Sequence, residues 1–449
     1  MPRRRRLAVR ILAAVLAVLA VALVGGYWYE RPLLLTGTGY AAHNACAVTK
    51  IAGRTDPATD LPPNPLVPYL RTSPDAGSVR ATILGALAGQ TAWLAPGFGC
   101  TLAGDRPAST PATAVAAGAN PFTAAATPTA PAPLAAAVAR AFGDDLAPAA
   151  RTSLGTRAVI VVHKGSLVAE RYAPGFTAAT PQLGWSMGKS VTNLLVGRLV
   201  QAGKVAVTDA ALRPQWSDGR SAITIDELMR MTSGLSWDET YDLGTPITRM
   251  LYLEPDMGGY AASRPLAHPP GTYLQYSSGS TNILCSILTQ RTGIGADLPR
   301  QQIFAPLGLT SAVWEPDATG TPVCSSYLWA TPRDWAAIGQ FALQNGSWNG
   351  QQLLPAGWMA TSTTALPVAT SEEKGYAAGW WVNKQADGSL VDPTLPADAY
   401  YADGHDGQRV YVVPSSQLVV VRLGFSPSVE DKDLRVSALV SDLVTALRG

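Results

Sequence analysis

Ser186 stands inside two overlapping patterns, Gly184-Trp185-Ser186-Met187-Gly188 and Ser186-Met187-Gly188-Lys189. The first spells the G-x-S-x-G elbow, where a distant histidine takes the serine's proton, and the second spells S-x-x-K, where the lysine stands beside the hydroxyl. Both make Ser186 a nucleophile. An elbow needs a buried apolar strand running into the serine, because the sharp strand-turn-helix geometry exposes the hydroxyl. The stretch before Ser186 holds Pro174 and Pro181 and no such run, and no H-G-G-G-type loop exists to supply an oxyanion hole. Downstream, Met187, Val191, Leu194, Leu195 and Leu199 recur at helical spacing as far as Gly203, which predicts a buried helix with Ser186 in its first turn. Lys189 then lies on the same face as Ser186. Desolvation there lowers a lysine's pKa enough for it to act as a base, and the helix N-terminus favours developing negative charge. Ser371-Glu372-Glu373-Lys374 repeats the spelling in a polar segment with nothing to bury it, and reads as coincidence.

An elbow enzyme would pair Ser186 with His405 and either Asp334 or Asp403. Asp334 has a simpler reading as the cap of the helix beginning "WAAIGQ". Ser233-Gly234 reads as a supporting turn, and Trp185, Trp380 and Trp381 as pocket wall or core. His43, His163, His268 and His405 are scattered and no C-x-x-C exists, so neither a metal nor another cofactor is expected.

Four stretches, in order, resemble the serine β-lactamase-like superfamily: the Ser186 to Lys189 box, "ITIDELMRMTSGLSW", "YLQYSSGSTNILCSIL" and "GHDGQRVYVVP". That superfamily includes class C β-lactamases, D-Ala-D-Ala carboxypeptidases, related esterases and 6-aminohexanoate-dimer hydrolases. "FAPLGLTSAVWEPDATG" with "ATPRDWAAIGQFAL" looks most like the last branch. The resemblance implies an acyl-forming Ser186, Lys189 as its proton acceptor, and Tyr276 as second acid/base. It implies an oxyanion hole from the backbone N–H groups of Ser186 and Gln408, with Ser278, His405 and Gly407 on the substrate side. Two motifs depart from the family: Tyr276-Ser277-Ser278 replaces Tyr-x-Asn, and His405-Asp406-Gly407 replaces Lys-Thr-Gly. The second change removes a fixed cation for a substrate carboxylate, which favours an ester or a carboxylate-poor amide over a β-lactam. A non-catalytic envelope module that keeps the fold is the competing expectation, and the intact Ser, Lys and Tyr set argues against it.

The elements that must position these residues begin after an apolar run, Ile11 to Tyr29, long enough to cross a bilayer. Arg3, Arg4, Arg5, Arg6 and Arg10 precede it and account for more than the whole formal charge of +2. With basic residues held at the cytoplasmic face, everything after Tyr29 is expected on the periplasmic or extracellular side of a single-pass anchor. Ala20-Val21-Ala22 offers a cleavage site, but the apolar run continues past it. No basic stripe remains for nucleic acid, so a small amide or ester and the membrane are the expected partners. An exported chain permits disulfides, and chain order pairs Cys46 with Cys100 and Cys285 with Cys324, with a buried Cys285 thiol as the other reading.

The expected organisation is a basic N-terminus and anchor (1–32), a small unassigned module (33–104), an Ala/Pro/Thr-rich linker with little to offer a core (105–133), and a hydrolase domain (134–449). "RAVIVVHKGSLVAERY" predicts a hairpin, "QRVYVVP" and "LVVVRLG" predict further strands, and "DLRVSALVSDLVTALRG" predicts a closing helix. Strands at both ends with helices between them make an α/β (α+β) domain whose ends share one sheet. The resemblance sharpens this to a β-lactamase/transpeptidase-like fold: an antiparallel sheet flanked by helices, with a helical subdomain.

Overall fold

Helix α1 (Pro2–Lys50) is a single run of 49 residues in the computed structural model, which describes residues 2–108, 110–372 and 375–448. Its first half is exposed along an apolar length sufficient for a membrane anchor or a signal sequence. The expected boundary at residue 32 falls inside this helix. Pro32 removes one backbone donor, yet the chain continues helically because the second half is held from outside. Ala41, Ala42, Ala45, Cys46 and Val48 are buried against a four-stranded antiparallel meander, β1 (Leu70–Asp75), β2 (Ser78–Ile83), β3 (Leu87–Ala95) and β4 (Gly99–Leu102). Small residues on the helix let Val79, Ala81 and Ala92 approach closely. A Cys46–Cys100 disulfide closes the same contact.

The Ala/Pro/Thr-rich segment is irregular but does contribute to the core. Phe122 is fully buried, Asn120 Nδ2 donates to Asp334 Oδ1 at 2.7 Å, and Arg333 Nη1 donates to the carbonyls of Phe122 and Ala125 at 3.1 and 2.7 Å. Its backbone carbonyls, invisible to composition, are what tie it down.

The remaining chain supplies α2 (Ala132–Ala141), β5 (Thr156–His163), β6 (Ser166–Tyr172), α3 (Met187–Gln201), α4 (Ser278–Thr292) and α5 (Pro332–Leu343). It ends with β7 (Gly375–Tyr376), β8 (Trp381–Val382), β9 (Tyr400–Gly404), β10 (Gln408–Val413), β11 (Leu418–Gly424) and α6 (Val436–Ala446). These strands form one antiparallel sheet in the order β7-β8-β9-β10-β11-β5-β6, so the two ends of the domain meet where β11 pairs with β5. Strand alternation sorts two cores. Ala158, Ile160 and Val162 of β5 face the cluster containing α3 and α5, while Val159 and Val161 face α2 and α6. Burial on both faces explains why β10 and β11 read as nearly continuous apolar runs.

Asp334 does not cap α5. Thr331 does, accepting the Asp334 N–H at 3.3 Å, while the Asp334 carboxylate binds Ser311 and Asn120. Pro332 at the first helical position pushes the cap back to the residue before it.

Candidate active site

A two-residue strand, Gln182–Leu183, pairs with Trp329 and Ala330 and leads into the nucleophile loop. Trp185 then adopts φ 49°, a left-handed value that costs an aromatic residue energy and recurs where function demands a sharp turn. That turn delivers Ser186 to the start of α3 with no capping bond on its side chain. Ser186 stays partly open to solvent while Lys189, one turn on, is buried.

Lys189 Nζ donates to Ser186 Oγ at 2.8 Å, to Ser278 Oγ at 2.9 Å and to the Ser325 carbonyl at 3.1 Å. Burial brings its pKa from 10.5 to about 8, against the opposing pull of Glu239 and Asp403. Three elements meet on this one nitrogen: α3, the first turn of α4, and the segment around Ser325. The Cys285–Cys324 disulfide ties the last two together, and Asn282 Nδ2 donates to Ser325 Oγ at 3.1 Å beside it.

Tyr276 lies just ahead of α4, its ring centroid 4.7 Å from Lys189 Nζ. Trp381 stacks on it at 5.2 Å and Tyr376 meets its edge at 5.5 Å, which fixes the ring plane. Burial raises the phenol well above its ordinary value, Tyr376, Glu239 and Asp403 push the same way, and a hydrogen bond with Ser186 opposes them. The group is therefore held as the neutral phenol rather than a phenolate.

Sequence reasoning missed Glu239. Its Oε1 accepts from Ser278 Oγ at 2.5 Å, and its Oε2 accepts the Ser278 N–H at 2.9 Å and Trp237 Nε1 at 2.6 Å. In sequence it sits in "SWDETYDL", where acidic residues read as surface charge. Its only signal was position, shortly after the "MTSG" turn whose Ser233 Oγ lies 3.2 Å from Ser280 Oγ at the start of α4. Tyr241, also missed, stands with its ring 4.5 Å from His405 and 6.3 Å from Trp185.

The three expected substrate-side residues differ in exposure: Ser278 and Gly407 are buried, and His405 is partly open. Ser278 is fully buried, hydrogen-bonded between Lys189 and Glu239. His405-Asp406-Gly407 forms the turn joining β9 to β10, with Asp406 at φ 59° and Gly407 at φ 88°. Consecutive left-handed residues are what a tight antiparallel hairpin requires, and Asp-Gly is a preferred pair for it. A Cβ on Gly407 would overlap Arg422 and crowd Leu434, so this glycine serves packing behind the turn. Gln408 pairs opposite Gly404, and its side chain is locked to the Gly424 backbone by bonds of 2.6 and 3.0 Å. The backbone pressed directly on the nucleophile loop is Gly404, where any Cβ would overlap the Gly184 carbonyl oxygen.

His405 does face the site region, 5.7 Å from the Trp185 ring. Its Nδ1 lies 2.8 Å from the buried Asp406 carboxylate, and 32% of the side chain is open. Burial would lower its pKa, but Asp406 foremost, with Asp403 and Glu239, carries it above the ordinary value. Neither acid of the elbow arrangement serves it. Asp334 is bound to Ser311 and Asn120, and Asp403 forms an ion pair with Arg409 at 2.5 Å. Glu373 and Lys374 of the second S-x-x-K lie outside the described residues. Among the described residues, no group of three or more His, Cys, Asp or Glu side chains is placed to hold a metal ion.

Residues 144–435, well over half of the chain, match the Beta-lactamase family. The 6-aminohexanoate-dimer hydrolase of Paenarthrobacter ureafaciens is 24% identical over 311 residues, covering 62% of this chain and 74% of that protein. The D-aminopeptidase of Brucella canis is 30% identical over 191 residues, 39% of this chain and 36% of that protein, so the shared part is about a third of the relative. In three dimensions, a penicillin-binding-protein homologue from Caulobacter crescentus superposes with a TM-score of 0.53 at 17% identity, over 70% of this chain and 99% of that one. It shares the fold. With Ser186 and Lys189 joined on α3 and the antiparallel sheet behind them, the chain belongs to the β-lactamase family, as a serine β-lactamase-like hydrolase.

Proposed function

We propose that the protein is a membrane-anchored hydrolase of small linear amides or esters, exported to the outer face, that works through an acyl-enzyme on Ser186. The observation that carries the mechanism is the 2.8 Å bond between Lys189 Nζ and Ser186 Oγ in a buried setting. An amine with a pKa near 8 is neutral in a useful fraction of molecules close to neutral pH. The neutral amine takes the Ser186 proton as Oγ bonds to the substrate carbonyl carbon. The oxyanion forms against the backbone N–H groups of Ser186 and Gln408. As the carbon–nitrogen or carbon–oxygen bond breaks, the Tyr276 phenol protonates the leaving group and recovers its proton from the Lys189 ammonium. Water then reverses the relay: it gives a proton to the amine–phenol pair, attacks the acyl carbon, and Ser186 leaves reprotonated.

The amide half of this proposal draws on the names of the two relatives, a dimer hydrolase and an aminopeptidase. Export and anchoring draw on the apolar first half of α1 behind its arginines. The test uses full-length protein in detergent, a fluorophosphonate probe and chromogenic amides and esters. Labelling should map to Ser186 and disappear with turnover in Ser186→Ala. Full turnover in that variant overturns the proposal.

A further inference from the structure

We infer that the open end of the four-stranded sheet is a second membrane contact, seated in the interfacial layer of a phospholipid bilayer beside the α1 span. The inference rests on the anchor reading above and adds a surface to it. Beyond Tyr29, the large hydrophobic side chains that stand exposed among the described residues are Leu84 (63%), Tyr69 (51%), Leu87 (43%) and Leu366 (36%). Three of these four gather at one end of one small sheet. Leu84 and Leu87 flank the β2–β3 turn, and the Leu84 N–H donates to the Tyr69 carbonyl at 2.9 Å.

That end points toward the N-terminal half of α1. At the far end of the sheet, β4 is bonded to Cys46 through Cys100, whereas β3 at Ala88 accepts from Thr38 Oγ1 at 2.7 Å and donates to Tyr27 Oη at 3.2 Å. Tyr27 opens the trio Tyr27-Trp28-Tyr29 that closes the apolar run, and Glu30 and Arg31 are the first charged residues after Arg10. Aromatic side chains followed by charge mark where a spanning helix leaves the hydrocarbon. The hairpin is thus hydrogen-bonded to the helix at the level where the bilayer surface lies. Arg71, exposed next to Tyr69 and Leu70, and Arg31 stand at the same end and suit lipid phosphates.

Backbone conformation supplies an independent argument. Leu84 sits at φ 52°, a left-handed position where a turn favours glycine, asparagine or aspartate. A leucine there bears a conformational cost and gains nothing from the protein, since its side chain meets solvent. Insertion among headgroups and upper acyl chains gives it the burial that the fold withholds.

The experiment reconstitutes the full chain in phosphatidylcholine–phosphatidylglycerol vesicles. All four native cysteines are in disulfides, so Leu84→Cys carries a single environment-sensitive fluorophore. Ala76→Cys, in the turn at the opposite end of the sheet, carries the same label as a reference. The Leu84 probe should emit to the blue of the Ala76 probe and lose emission to brominated lipid, while Ala76 keeps a water-like spectrum. Identical, water-like spectra at both sites in protein that resists carbonate extraction overturn this inference and leave the anchor standing. Protein that carbonate washes free of the vesicles overturns the anchor and this contact together.

Discussion

Glu239 grips Ser278 twice, through its hydroxyl at 2.5 Å and its backbone N–H at 2.9 Å, and thereby fixes the oxygen that Lys189 uses as its second partner. The carboxylate also raises the Lys189 pKa, opposing the effect of burial. Glu239→Gln keeps the shape and removes the charge. The amine should titrate lower, so the acidic limb of kcat/KM against pH should move to lower pH, while kcat at its plateau falls about tenfold through the weakened hold on Ser278. A limb that stays in place would show that Glu239 acts on folding alone.

Lys189 as the proposed base predicts a pH dependence for the native enzyme. The protonated amine cannot accept a proton, so kcat/KM should rise through a midpoint of about 8 and level off above it. Its folded pKa lies below the unfolded value, so the unfolded chain binds more protons between about 8 and 10.5, and this group's contribution to stability grows as pH rises across that window. Lys189→Ala should lower kcat/KM by roughly 10²–10⁴-fold at retained Tm, measured with the same chromogenic substrates. Lys189→Arg should not restore it, because guanidinium stays protonated.

Gly404→Ala tests the contact between β9 and the nucleophile loop. The new methyl group meets a backbone oxygen, which cannot swing aside as a side chain can. A displacement of about 1 Å at Ser186 is enough for a loss near 10²-fold. The loss should fall on kcat, with far-ultraviolet circular dichroism unchanged.

Replacing Cys285 and Cys324 together by serine should cost about 2–4 kcal/mol in denaturant unfolding. Because the bridge joins α4 to the segment whose Ser325 carbonyl receives Lys189, it should also lower kcat. Replacing Cys46 and Cys100 should destabilise without moving the pH profile, since that bridge lies between α1 and β4.

Ser186 and Lys189 were legible because their geometry is local: three residues along one helix bring them together whatever surrounds them. Both disulfide pairings followed from chain order in a chain read as exported rather than from local geometry, the cysteines standing 54 and 39 residues apart. Glu239 was not legible, being 39 residues from the serine it holds. The β9–β10 turn shows a third outcome. Its Asp-Gly pair announces a hairpin, a conformational signal that comparison with the Lys-Thr-Gly motif passes over. Composition hid the role of the Ala/Pro/Thr-rich segment, whose attachment runs through main-chain carbonyls and one phenylalanine. It also hid the second half of α1, where alanines pack only because a disulfide-bonded sheet faces them.

Tyr40 of α1 stacks on Tyr252 at 4.8 Å and meets the Trp185 ring edge-on at 6.3 Å, one residue from the nucleophile. From Tyr27 to Tyr40 the helix rises about 20 Å at 1.5 Å per residue, running on through Pro32 without a break. With α1 as the proposed anchor, a hydrolase carried on so short a mast cannot sweep the space around it. It works at one altitude, and whatever it cleaves has to arrive at that height.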